Sequence, residues 1–133
     1  MRAITIASIL AALAAPACAK QDRKVEDCNA VIDVVNKGVE AVQAVGDEDR
    51  DGTVKLGAAY GSVAVGLDKL QITTTTLQPI VAKLKASASG AAAAIGAVAQ
   101  AADKDAASEK AVPLVEAYNQ AAKDLQGFCG PNK

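Results

Sequence analysis

The side chains here that could do chemistry are three cysteines, two tyrosines and a scattered set of carboxylates and ammonium groups. Histidine is absent. Without an imidazole there is no general base of the kind that activates a serine or cysteine nucleophile, and no histidine-ligated zinc. Tyr60, Tyr118, the carboxylates and the lysines remain, and their spacing does not gather them into a site. The expectation is a protein without catalytic activity.

One local pattern has the spacing of a ligand set. Asp47-Glu48-Asp49-Arg50-Asp51-Gly52-Thr53-Val54 matches the first eight positions of an EF-hand calcium loop. Acidic oxygens stand at positions one, three and five, with a glycine for the turn at six and an apolar residue at eight. The match ends there: position twelve is Ala58, where the family places a bidentate glutamate, and position nine is Lys55. Calcium held by Asp47, Asp49 and Asp51 is one expectation. The other is an acidic turn in which Asp51 or Thr53 caps the following helix and negative charge sits favourably at its N-terminus. No other cofactor is expected.

The cysteines divide into one and two. Arg2 is a short positive n-region, and residues 3–15 are uncharged and largely apolar, the length of a signal h-region and too short for a membrane span. Two cleavages fit. Ala17-Cys18-Ala19 is an A-x-A site that would leave Lys20 first. Ala15-Pro16-Ala17-Cys18 resembles a bacterial lipobox, with Ala15 where the usual pattern has leucine, and would leave a lipidated Cys18 as the first residue. Residues 1–17 (or 1–19) are thus read as a cleaved signal peptide, 18–24 as a tether and 25–133 as the folded domain. An exported chain with an odd cysteine has either a reactive thiol or one cysteine with another task. With Cys18 lipidated or removed, Cys28 and Cys129 are left as a disulfide pair.

Apolar residues recur at steps of three and four, the period of one helix face. The stripes are Val25, Cys28, Ile32, Val35, Val39 and Val42; Leu56, Tyr60, Val63, Leu67 and Leu70; Leu77, Val81, Leu84, Ala88, Ala91, Ile95, Val98 and Ala102; and, from about Ala106, Ala111, Val115, Tyr118, Ala122, Leu125 and Cys129. Gly46 and the acidic run end the first segment, and Thr73-Thr74-Thr75-Thr76 end the second with β-branched residues and capping hydroxyls. Pro79 suits the first turn of the third, and Pro113 is expected to kink the fourth. The uncharged Ala/Gly stretch 86–102 and the pair Gly57 and Gly61 read as places where neighbouring helices approach closely. Four such segments with short connections predict an all-α, up-down-up-down four-helix bundle. That topology sets the start of the first helix beside the end of the fourth, so Cys28 and Cys129 fall at one end, each on a core stripe, as a bundle-closing disulfide.

With 14 basic and 15 acidic residues the formal charge is −1, which offers no basic face for phosphates, so no nucleic-acid partner is expected. Aromatics make up 2% of a chain that is 51% hydrophobic, so the core is built from small aliphatic side chains. The leader, the cysteine layout and the helix pattern together resemble the short bacterial envelope lipoproteins of unknown function. That resemblance implies a binding or scaffolding module in the cell envelope, lipid-anchored through Cys18 or else periplasmic or secreted. Its partners would be the membrane, through that anchor, and an envelope protein the sequence does not identify. Lys20, Arg23 and Lys24 could add contact with anionic headgroups. A calcium-stabilised secreted domain and a membrane-active helical protein are the alternatives.

Overall fold

The computed structural model describes residues 4–45 and 50–130. Four helices follow one another in these residues, with no strand among them: α1 (Ile4–Gln43), α2 (Arg50–Asp68), α3 (Gln78–Gln100) and α4 (Lys104–Cys129). They form the expected four-helix bundle, closed by a disulfide between Cys28 and Cys129 with a Cα–Cα separation of 5.6 Å. Both the stretch read as a leader from Ile4 onward and the 18–24 tether are helical and continuous with the rest of α1. Residues 20–23 of that helix are exposed.

The core is aliphatic and thin. Val31, Val63, Leu77, Leu84 and Leu125 are its largest fully buried side chains, and the alanines Ala88, Ala91 and Ala121 are buried completely beside them. Small residues bring the helices together. A Cβ on Gly57 would stand 3.4 Å from the carbonyl oxygen of Ala92, so α2 meets the α3 backbone there. On the opposite side of α2, a Cβ on Gly66 would press to 2.8 Å from Val34 Cγ1 of α1, and one on Gly38 of α1 would collide with Val63 Cγ2. The alanine and glycine content of these helices therefore sets interhelical distance, and none of them among the described residues is long and apolar enough to cross a membrane.

Several details depart from the stripes read in the sequence. In α1 the fully buried position is Val31 rather than its neighbour Ile32, while Val25 and Val39 are 53% and 42% exposed. In α4 Ala121 takes the place of Ala122, and in α3 Ala99 is buried whereas Ala102 lies past the helix end and is exposed. The exchanges of Val31 for Ile32 and of Ala121 for Ala122 are each a rotation of one residue, 100° on a helix, decided by which neighbour the helix leans on. Pro113 sits inside α4, which continues through it as a single helix. Asp103 caps α4 by accepting a hydrogen bond from the Ala106 N–H at 3.1 Å, so the helix starts slightly earlier than the pattern alone placed it.

Helix α2 packs most extensively on α3, and α3 on α4, while α1 leans mainly on α2 and meets α4 only sparsely. The links between α1 and α4 gather at one end, where the disulfide joins them and the Lys24 ammonium lies 4.5 Å from the centre of the Phe128 ring. Toward the other end the two helices leave a seam between them.

Candidate functional site

At the disulfide end, a carboxylate that the sequence reading passed over ties α1 to the α2–α3 connection. Asp27 Oδ2 on α1 accepts hydrogen bonds from the Thr73 N–H (3.0 Å), the Thr73 hydroxyl (3.2 Å) and the Thr74 N–H (2.8 Å) in the α2–α3 connection. Thr74 in turn accepts from the Leu77 and Gln78 N–H groups with its carbonyl, which starts α3 without a side-chain cap of its own. Partial burial raises the affinity of Asp27 for a proton, but the hydrogen bonds from Thr74 and Thr73 outweigh it and hold the carboxyl below the usual range. The threonine run thus acts through its first two residues as a polar contact to α1. Cys28, the next residue, is 4% exposed in the disulfide.

At the opposite end the bundle opens into a cleft of about 690 Å³. Its walls carry Val42 from α1, Leu56 from α2, Ile95 and Val98 from α3, and Ala111 and Val115 from α4. Polar groups lie at its borders: Thr53 in the first turns of α2, and Lys104, Ser108 and Glu116 on α4. A smaller hollow of about 250 Å³ follows it along the α1–α4 seam, sharing Val42 and bordered by Val39, Tyr60 and Tyr118. The seam is the consequence of the sparse α1–α4 contact, and it explains why Val39, on the expected core stripe, is left exposed.

The two tyrosines close the inner end of this trough. Their rings stand edge to face, 5.2 Å between centroids and 89° between planes. Burial raises both phenol pKa values, and for Tyr118 the neighbouring Tyr60 adds to the shift. Both phenols are thus neutral at physiological pH and serve as apolar walls with a polar edge.

The remaining residues with proposed roles are placed as follows. Asp47 and Asp49 lie outside the described residues. Asp51 is in the first turn of α2, which begins at Arg50, so the second half of the stretch matched to a calcium loop is helical. Among the described residues no group of three or more His, Cys, Asp or Glu side chains is arranged to hold a metal ion. Cys18 falls within α1, ahead of the exposed turn at 20–23. Lys83 with Asp124 (3.0 Å) and Lys85 with Asp68 form ion pairs on the outer faces of α3, and each lowers the pKa of its carboxylate partner.

No family model matches the chain, and neither a curated protein nor a solved structure is detectably similar to it.

The trough and the Asp27 clamp are what sequence reasoning missed. The trough had a partial signal: Val39, Val42, Val98 and Val115 all lie on apolar stripes, the first three near the ends of their helices. The clamp had none, because its partners are more than forty residues away in the chain.

Proposed function

We propose that this protein is an exported, non-catalytic binding module of the bacterial cell envelope, tethered to a membrane through a lipidated Cys18. The observation that carries this reading is the Cys28–Cys129 disulfide. A bond that closes the bundle across a sequence separation of 101 residues belongs to an oxidising compartment, and it leaves Cys18 as the odd cysteine, directly after an apolar leader. Binding rather than catalysis is supported by the lack of histidine and by an apolar cleft in place of a cluster of titratable groups. Tethering is supported by the lipobox-like Ala15-Pro16-Ala17-Cys18 and by the basic residues Lys20 and Arg23 just after it. Their exposure leaves them free to meet anionic headgroups.

The test is the intact mass of the mature protein from its native host, with and without reductant. A first residue of diacylglyceryl-modified Cys18 is the expected result, together with a mass gain of two hydrogens on reduction. An unmodified chain beginning at Lys20 overturns the tether and leaves a soluble exported domain.

A further inference from the structure

The trough has a shape and a lining that fit one kind of ligand. From Lys104 to Glu116 it follows α4 for about 18 Å at 1.5 Å per residue. The smaller hollow that shares Val42 carries the same seam on to the Tyr60–Tyr118 pair. Among the described residues the walls of the main cleft are largely aliphatic and contain no aromatic ring to stack on a flat heterocycle. Polar side chains border the cleft, and those of the first turns of α2 and α4, Thr53 and Lys104, stand at the bundle end where α1 also finishes.

We propose that this trough binds the single hydrocarbon chain of an amphiphile, with the chain along the α1–α4 seam and the polar head left at the Lys104 end. An elongated aliphatic slot rewards a flexible chain for each methylene it buries, and the hydroxyls and ammonium of Thr53, Ser108 and Lys104 in its lining keep the head among polar groups. Val39 and Val42 of α1 form the side of the seam that α4 does not cover, so the bound chain supplies the contact missing between those helices. This deepens the binding reading by naming the ligand class and is independent of the anchor, since an unlipidated chain would carry the same trough. A free fatty acid and a membrane-derived lysophospholipid present the same chain chemistry.

The experiment is calorimetric titration of the purified mature protein, disulfide intact, with saturated fatty acids of increasing length, each below its micelle concentration. The same series is repeated with lysophospholipids of matching chain. Saturable one-to-one binding is expected, tightening about fourfold per added methylene, equivalent to about 0.8 kcal/mol each. The gain should stop once the chain outgrows the seam. Whichever series binds more tightly at equal chain length identifies the source. Val115→Trp, which puts an indole across the cleft, should weaken binding at least tenfold while circular dichroism stays helical. Should that variant fail to fold, Val98→Gln, which leaves the space but makes the wall polar, should weaken binding at least tenfold. Heats that do not saturate, affinity indifferent to chain length, or undiminished binding by a folded Val115→Trp protein would each overturn the proposal.

Discussion

Gly38 and Gly96 are both helical glycines, and they are expected to answer the same substitution in opposite directions. A methyl group on Gly38 would run into the Val63 side chain at the α1–α2 contact, whereas one on Gly96 meets nothing within 4 Å. Gly38→Ala should therefore destabilise the fold by about 1–3 kcal/mol through overpacking. Gly96→Ala should stabilise it by up to about 1 kcal/mol, because alanine restricts the unfolded chain and favours helix. Urea midpoints of the two variants, measured beside the parent, check both signs. The glycine pair also marks where residue-scale reading stops. That Gly57 and Gly61 allow close approach was legible from their spacing, and their contact with α3 bears it out. Which glycine faces α1 was not legible, because it depends on the rotation of a helix whose apolar stripe is wide enough for Val31 or Ile32 to point inward. Asp27 is the extreme case: its three hydrogen bonds leave no local mark, since any exposed aspartate on a helix would look the same in sequence.

The helices themselves were legible, because the 3.6-residue period is a local property that survives without knowledge of the partners. The disulfide followed from two such properties combined, the stripe positions of Cys28 and Cys129 and the topology that brings those ends together. The α1–α4 seam did not follow, because a bundle drawn from four equal stripes closes all round, whereas here α1 leans on α2 and touches α4 mainly where the disulfide holds it. The bond is thus the principal link across that face. In the chain-entropy account a closed loop of about 100 residues contributes about 4–5 kcal/mol, a large share of the roughly 5–15 kcal/mol by which single domains are stable. Replacing both cysteines by serine should lower the urea midpoint accordingly. Hydrogen exchange should report the loss unevenly, with amides in residues 28–43 of α1 losing protection before those of the α2–α3–α4 unit. Uniform loss across all four helices would show that α1 docks independently of the bond.

At the scale of the whole molecule, the described groups whose proton affinity folding clearly changes lie at the two extremes of the pH scale. Asp27, Asp68 and Asp124 are all held below the ordinary carboxylate value of 3.8, the first by Thr74 and Thr73 hydrogen bonds that outweigh its partial burial and the others by Lys85 and Lys83. For a carboxylate with a depressed folded pKa, the unfolded chain binds more protons in that range. Its stabilising contribution is therefore complete above about pH 4 and is lost as pH falls through the folded values. Tyr60 and Tyr118 have pKa values raised above 10.0 by burial. There the folded state keeps its protons longer, so stability is constant below that pH and declines as the unfolded phenols ionise above it. The chain has no histidine to titrate in between, and none of these five groups couples folding to protons near neutrality. The urea midpoint should consequently be flat from about pH 5 to pH 7.5, falling on the acid side below about pH 4 and on the alkaline side above about pH 10. The two ion pairs are solvent-exposed, so added salt should blunt part of the acid limb while leaving the alkaline limb, which arises from burial, unchanged. A step in the midpoint near pH 6 would contradict this account and point to a titrating group with a strongly displaced pKa elsewhere in the chain.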